Sequence, residues 1–341
     1  MNPLEAAVRV LETKIDAGAQ AVTGRAVAVH PGVLTERAEL LGLPAPGARS
    51  ANGSCRMVRA ADGWLAVNLP RDSDLEAVPA WLQRELATDP WQAIAEAAAT
   101  APAAVLGEDA QRLGMPVARV GEIKAASPSA PLVRHGAGGR RRGGPLRVVD
   151  LSSLWAGPLC GGLLAEAGAQ VLKIESVRRP DTLAESSPPF FARLNGRKTC
   201  VALDLADPAD LARLSAEVAR ADVLITSARP RAFAPLGLAP EQVFAANPRL
   251  VWVAITGYGW SAPFSDRVAF GDDAAAAGGL VAWEGEGPRF LGDALADPFT
   301  GLTAAAAAFQ ALQAGGGLLA DVAMARAAAG VAAGLKATAA A

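Results

Sequence analysis

The sequence predicts an α/β protein with a doubly wound, largely parallel, Rossmann-like sheet domain and a smaller α+β domain. Short apolar strands alternate with helical patterns from about residue 146 to residue 256, which is typical of a parallel sheet covered by helices. A turn at Asp62–Gly63 between two apolar runs predicts an antiparallel hairpin earlier in the chain. The stretch between these regions, residues 126–145, is rich in Pro, Ser, Gly and Arg and predicts a linker.

The first domain is predicted over residues 1–125. An Ala-rich helical pattern covers residues 4–22, and the hairpin covers residues 55–69. Helical patterns follow near 73–86 and 90–99, and a short apolar run at 114–120 predicts one more strand. These elements together predict the small α+β domain.

The second domain is predicted over residues 146–341. Its strands are expected at 146–151, 170–175, 199–203, 223–226 and 250–256, with helices near 158–167, 208–220 and 240–246. A long Ala-rich helical region begins near Thr300, and a last strand is expected at 318–322 after three glycines. The alternation predicts the parallel sheet.

Composition excludes several classes of function. The 341 residues carry a net charge of −2, which gives no electrostatic reason to expect nucleic acid or a membrane surface as a partner. The sequence has no apolar run of about 18 residues and no secretory signal, so we expect a cytoplasmic protein. Three widely spaced cysteines and only two histidines argue against a metal site, and no GxGxxG or P-loop pattern supports a nicotinamide cofactor or ATP. We therefore expect no permanently bound cofactor.

The first strand of the second domain leads into a turn that contains Gly157-Pro158. A helix that begins here would present free N–H groups and a positive dipole end to a phosphate. An ordinary strand–helix turn explains the same pattern. Basic residues that could bind phosphate lie at predicted strand ends or in loops, although any one of them could belong to a solvated face: Lys173, Arg178, Arg179, Arg197, Lys198 and Arg229.

Asp297 is the strongest candidate for catalysis. It is followed by Pro298 and an apolar helical pattern, which is the signature of a helix N-cap. A cap alone would explain this aspartate. A carboxylate at a helix N-terminus is also stabilised in its ionised form, and an ionised carboxylate can attack a thioester.

From residue 146 to about residue 326, the order of motifs resembles that of the family III CoA-transferases. The similar segments, in order, are Gly157-Pro158 with LLAEAGAQVLKIE (163–175), LNGRK (194–198) with Leu203-Asp204, ADVLI (221–225) with Arg229-Pro230, LGL (236–238), NPRL (247–250) and TGYG (256–259). Each motif is weak alone, and the ordered set is specific.

The resemblance implies that Asp297 is the nucleophile, because the family's aspartate lies in a short segment that opens a helix four residues before a glycine, here Gly301. Asp293 is the competitor, in a poorer register. The last motif adds Tyr258 and Gly259 to the candidate CoA contacts. The implied activity is transfer of CoA from an acyl-CoA to a carboxylic acid through an aspartyl anhydride. Coenzyme A is then a substrate and product, and a homodimer is expected.

Two departures from the family affect this interpretation. Residues 26–122 resemble the family's usual C-terminal portion but come first, so the chain resembles a circular permutation. Phe270 stands roughly where related racemases carry a catalytic histidine, which disfavours racemisation. Two alternatives stay open: an isomerase, racemase or lyase of the same fold with Asp297 as base, and a non-catalytic CoA-binding subunit.

Overall fold

The computed structural model describes residues 2–85, 89–141, 143–285 and 287–340. Elements in the first part of the chain are α1 (Pro3–Thr23), α2 (Glu36–Leu41), β1 (Cys55–Ala60), β2 (Gly63–Asn68), α3 (Asp72–Leu82), α4 (Pro90–Thr100), α5 (Ala103–Arg112), β3 (Val117–Arg119) and β4 (Leu132–Arg134). Those that follow are β5 (Arg147–Asp150), α6 (Ala156–Glu166), β6 (Gln170–Ser176), α7 (Leu183–Ser186), α8 (Pro188–Asn195), β7 (Thr199–Leu203), α9 (Pro208–Arg220), β8 (Val223–Thr226), α10 (Pro240–Ala246) and β9 (Val251–Thr256). The last are α11 (Gly271–Ala277), β10 (Val281–Glu284), β11 (Gly287–Phe290), α12 (Ala296–Gln313), β12 (Leu318–Ala323) and α13 (Met324–Ala340).

Contacts divide the described chain into two compact units. One, the sheet unit, contains residues 1–33, 127–265 and 298–323, and the other, the small unit, contains residues 34–126, 266–297 and 324–341. Each unit is thus assembled from three stretches of chain. The contiguous boundaries expected from the sequence, 1–125 and 146–341, stay a prediction about domains, and the compact units divide the chain differently.

The sheet unit is built on seven strands in the order β4-β12-β9-β8-β5-β6-β7 among the described residues. All neighbours are parallel except β4, which runs antiparallel to β12. β9 is buried at every position. This is expected of a central parallel strand, and its sequence, VWVAIT, is apolar up to the last residue. The predicted fold class, a largely parallel α/β sheet, is confirmed.

The predicted linker is partly ordered into this sheet. Residues 132–134 form β4, and the N–H groups of His135 and Gly136 both donate to Gly317 O at 3.0 Å. A side chain at Gly136 would place Cβ 2.3 Å from Pro248 O, so glycine permits this close backbone approach. The strand was missed because three residues carry too little periodicity to indicate one.

The small unit contains a second sheet, with strands in the order β1-β2-β3. β1 and β2 pair antiparallel from Cys55–Asn68 to Ala60–Gly63, as the hairpin pattern predicts. A core that includes Leu65, Val78 and Trp81 lies between these strands and α3, α4 and α5. α11 and α13 also pack together in this unit, and β10 pairs with β11.

Local capping explains several helix boundaries. Asn2 forms a capping box with Glu5 at the start of α1, and Asp89 accepts from the N–H groups of Trp91 and Gln92 at the start of α4. Asp207 caps α9 in the same way, with Pro208 in the first turn. Among the described residues, none of the helices combines the length and apolar character that crossing a membrane requires.

Candidate active site

The predicted CoA contacts of the sheet unit mostly follow strands that end at one edge of the sheet. β5, β6, β8 and β9 run parallel, so their carboxyl ends share that edge. Gly157 and Pro158 come after β5, Arg178 and Arg179 after β6, Arg229 after β8, and Tyr258 and Gly259 after β9. Lys173 lies within β6 and Lys198 directly before β7.

The loop from β5 to α6 is tightly folded. Gly157 lies in the first turn of α6, and a Cβ there would lie 2.2 Å from Ser152 Oγ. Leu154 has a φ of 67°, a left-handed conformation that is costly for a non-glycine residue. Its N–H donates to both carboxylate oxygens of Asp181, at 3.2 and 3.1 Å. The loop is therefore held by side chains from other segments.

Lys198 and Asp150 form a buried ion pair beneath this loop. Lys198 Nζ donates to Asp150 Oδ2 at 2.8 Å and to Pro158 O at 2.8 Å, and neither charged side chain is exposed. Ser152 N–H and Oγ both donate to Asp150 Oδ1. Burial alone would raise the pKa of Asp150, but the charges of Lys198 and Lys173 and these hydrogen bonds lower it below its ordinary value.

Lys173 is the centre of a second buried pair. Its Nζ donates to Ser152 O at 2.7 Å and to Asp181 Oδ2 at 3.2 Å, with Glu175 Oε1 at 3.6 Å. The Lys173 and Asp181 side chains are both fully buried. The prediction that Lys173 and Lys198 bind CoA directly is not supported by this arrangement, because both ammonium groups are enclosed and bound to carboxylates. They position the β5–α6 loop instead.

The predicted arginines are more accessible. Arg178 Nε and Nη2 reach the Asp204 carboxylate at 3.0 Å, on the surface. The Asp204 pKa is lowered by the Arg178 hydrogen bond and by the Ala206 N–H. Arg179 is exposed, and Arg229 is half-buried at the start of a 3₁₀ turn, Pro230–Ala232. Tyr258 and Gly259 are buried, and Gly259 has a φ of 145°.

Asp297 lies in the first turn of α12 and is half-buried. The helix begins one residue earlier, at Ala296, and the Asp297 N–H donates to Ala294 O at 2.9 Å. Asp297 is thus a first-turn residue rather than the N-cap, which corrects the cap interpretation. The expectation that it opens a helix is met, and the helix dipole still favours its ionised form.

Asp293, the competing aspartate, is bound within the small unit. Arg37 Nη1 donates to both of its carboxylate oxygens at 2.7 Å, and the Asp293 side chain is almost fully buried. Burial raises the Asp293 pKa, and Arg37 opposes that rise. A carboxylate held in this way by a guanidinium group is a poor nucleophile.

The start of α11 lies against the turn that leads to Asp297. A Cβ on Gly271 would lie 2.2 Å from Asp297 Oδ2 and 2.5 Å from Ala294 O. Asp272 Oδ1 accepts from Ala294 N–H at 3.0 Å, and Ala294 has a φ of 45°. Burial, with the charge of Asp293, raises the Asp272 pKa to about 7.

Phe270 lies one residue before Gly271. Its N–H donates to Asp273 Oδ1 at 3.0 Å, and its phenyl ring lies 5.6 Å from the Arg71 guanidinium carbon. Asp273 is fully buried, and desolvation raises its pKa well above the ordinary value. A phenyl group cannot transfer a proton, so this position supplies no second acid or base.

In each unit, residues that hold the candidate groups were missed in the sequence. In the sheet unit, Asp150 and Asp181 hold the lysines. In the small unit, Arg37, Gly271 and Asp272 surround the turn before Asp297. A lysine inside the apolar run of β6 was the one usable signal, because such a lysine needs a buried carboxylate partner.

Comparison with known proteins gives a consistent set of relatives. A family model described as CoA-transferase family III matches residues 145–340. The succinyl-CoA–D-citramalate CoA-transferase of Chloroflexus aurantiacus is 31% identical over 194 residues, covering 52% of this chain and 48% of that protein. The succinate–glutarate CoA-transferase of Agrobacterium fabrum is 30% identical over 199 residues, covering 52% and 50%. This chain spans about half the length of these curated relatives.

Solved structures agree with these relatives. A CAIB/BAIF family protein from Brucella suis is 29% identical with a TM-score of 0.50, covering 55% of this chain and 54% of that one. A hypothetical protein from Mycobacterium tuberculosis is 28% identical with a TM-score of 0.51, covering 59% and 58%.

Proposed function

Because this chain belongs to CoA-transferase family III, we propose that it moves CoA from an acyl-CoA thioester to a carboxylic acid through the Asp297 carboxylate. The observation that carries this proposal is the position of Asp297. It is half-buried in the first turn of an 18-residue helix, where the helix dipole favours an ionised carboxylate.

In the first half of the reaction, a carboxylate oxygen of Asp297 attacks the thioester carbonyl carbon. The C–S bond breaks, CoA leaves as a thiolate, and an acyl–aspartyl anhydride forms. The thiolate then attacks the Asp297 carbonyl of this anhydride. The donor acid leaves as a carboxylate, and Asp297 carries CoA as a thioester.

The second half reverses these steps with the acceptor. The acceptor carboxylate attacks the Asp297 thioester, releasing the CoA thiolate and forming a second anhydride. The thiolate attacks the acceptor's acyl carbon, giving the new acyl-CoA and the free Asp297 carboxylate. One carboxylate enters and one leaves, so no water, proton or oxidant is consumed. The positive end of the α12 dipole favours the negative charge that develops near Asp297.

The proposed CoA contacts in the sheet unit are the accessible groups at the carboxyl edge, especially Arg178, Arg179 and Arg229, with Gly157 and Pro158 shaping the loop. Guanidinium groups suit bidentate contacts with phosphate. Lys173 and Lys198 support that loop from below. Tyr258 and Gly259 belong to the segment that follows β9.

Two relatives are named for succinyl-CoA or succinate, so succinyl-CoA is the first donor to test. Glutarate and citramalate are the first acceptors, for the same reason. We also propose a homodimer in the cytoplasm and no permanently bound cofactor.

The experiment is isotope exchange between labelled succinate and succinyl-CoA, which requires only one substrate pair. It should be repeated with other acyl-CoA and acid pairs. Wild-type protein should move label into the thioester, and Asp297→Asn should not. Asp293→Asn is the matched control and should retain exchange if it stays folded. No exchange with any pair in the panel would overturn the proposal.

A base-catalysed isomerase or racemase is the alternative chemistry. The phenyl ring at Phe270 gives it no support. It would be indicated by deuterium exchange at the α-carbon of an acyl-CoA without transfer to an acid. Binding of CoA without turnover, unchanged in Asp297→Asn, would instead indicate a non-catalytic subunit.

A further inference from the structure

The turn before Asp297 is enclosed by contacts within the small unit. Gly271 is buried, and a side chain at this position would collide with Asp297 Oδ2 at 2.2 Å, Ala294 O at 2.5 Å and Ala294 Cβ at 2.6 Å. Real Cβ atoms do not approach other atoms so closely. The Asp297 carboxylate therefore lies against the bare backbone of Gly271.

The next residue fixes the turn itself. Asp272 is buried, and its Oδ1 accepts from the N–H of Ala294. Ala294 has a left-handed backbone, a strained conformation that persists only where surrounding contacts impose it. Ala294 O in turn accepts from the Asp297 N–H at 2.9 Å, so the Asp272 hydrogen bond leads directly to the backbone of Asp297.

We infer that Gly271 and Asp272 are positioning residues for the Asp297 carboxylate. Gly271 acts by having no side chain, which leaves room for Oδ2, and Asp272 acts by holding Ala294 in the turn. Neither residue exchanges atoms with substrate. This inference rests on the proposed role of Asp297, and it adds two residues on which the reaction rate depends.

The test begins with Gly271→Ala. A displaced carboxylate should lower kcat for CoA exchange by about 100-fold, because misplacement by about 1 Å has that effect, while KM for acyl-CoA changes little. Gly107→Ala is the matched control in the same unit. Gly107 is also buried, but its Cβ would meet only Arg119 Cγ, at 3.8 Å, so exchange should stay at the wild-type rate.

The second test compares Asp272→Asn with Asp272→Ala. Asparagine keeps an oxygen acceptor for the Ala294 N–H and should retain most of the exchange rate. Alanine loses the acceptor and should lower kcat at least tenfold further, with KM unchanged. Rescue by asparagine separates a positioning hydrogen bond from a need for charge.

A readout that does not use activity separates packing against Asp297 from general damage. The melting temperature should fall on Gly271→Ala, and the fall should be smaller in an Asp297→Ala background, where Oδ2 is absent. Equal falls in both backgrounds, or wild-type kcat in folded Gly271→Ala, would overturn the inference. Absence of exchange in the wild-type protein would instead overturn the proposed function. The comparison of melting temperatures would still test the contact between Gly271 and Asp297.

Discussion

Lys198 Nζ lies 2.8 Å from Asp150 Oδ2, and both side chains are fully buried beneath the β5–α6 loop. The same ammonium group donates to Pro158 O, so this one lysine joins the end of β5, the first turn of α6 and the start of β7. The loop that we propose contacts CoA therefore depends on an ion pair that is enclosed within the protein.

Removing Lys198 should be strongly destabilising. Lys198→Met leaves the Asp150 carboxylate buried without its cation, and breaking a buried pair in this way costs about 3–5 kcal/mol. The double variant Asp150→Asn/Lys198→Met removes both charges and should recover part of that loss. Urea denaturation measures the free energy of unfolding of both variants. Arg178→Ala, which breaks the exposed pair with Asp204, is the control and should cost at most about 1 kcal/mol. Equal losses in Lys198→Met and Arg178→Ala would contradict the buried pair.

Asp272 should make folding stability depend on pH. Its pKa is raised to about 7 in the folded protein from 3.8, so the unfolded chain loses this proton at lower pH. The contribution of Asp272 to the free energy of unfolding is therefore most favourable below pH 4. It declines as the pH rises towards 7, by at most about 1.4 kcal/mol per pH unit. Asp272→Asn cannot ionise. Its stability relative to wild type should increase between pH 4 and 7 and level off above. A pH-independent difference would contradict the raised pKa.

CoA affinity should depend on the half-buried Arg229. Losing one charged hydrogen bond to a phosphate should weaken binding by about 1.5–3 kcal/mol, which is roughly 10- to 100-fold. Arg178→Ala should have a smaller effect, because the Arg178 side chain is exposed and solvent screens its charge. Calorimetry with CoA measures both, and exposed Arg213 on α9 provides a control substitution to alanine. Unchanged affinity in both Arg229→Ala and Arg178→Ala would remove these residues from the site.

The oligomeric state is a separate prediction. The family resemblance leads us to expect a homodimer. Light scattering at micromolar concentration should give about twice the mass of the 34.7 kDa chain. A monomer under those conditions would refute the expectation.

The fold was largely predictable because its evidence is local. β9 and β5 are short apolar runs between turns, and the pattern that places a helix after each strand is visible in any window of the sequence. Asp297 was also chosen as a candidate on local evidence, the aspartate–proline pair before an apolar helix. Its exact place, one residue inside α12, depends on the turn at Ala294, which the sequence pattern does not reveal.

The remaining parts of the site depend on distant pairs. Lys173 and Lys198 were expected to face a ligand, and their burial follows from Asp181 and Asp150. Arg37 and Asp293 are 256 residues apart in the chain. No local pattern identifies such partners. The seven residues of α11 were assigned no element, and the two adjacent aspartates among them, Asp272 and Asp273, are both buried.

Asp297→Asn should be stable and inactive. Asparagine has nearly the same shape, so the packing is kept, and the lost interaction of the charge with the helix dipole should cost about 0.3–1 kcal/mol of unfolding free energy. Exchange should be abolished, because the amide cannot form the anhydride. Thermal unfolding and the exchange assay measure the two effects, and an active Asn variant would limit Asp297 to a structural role.

The most direct measurement is hydroxylamine trapping. Wild-type protein is incubated with an acyl-CoA that supports exchange, hydroxylamine is added, and the peptide containing Asp297 is identified by mass spectrometry. Attack of hydroxylamine on the Asp297–CoA thioester should convert the Asp297 carboxyl group to a hydroxamate, dependent on acyl-CoA and absent in Asp297→Asn. Vigorous exchange by the wild-type protein with Asp297 unmodified, or with the hydroxamate on Asp293, would contradict the account.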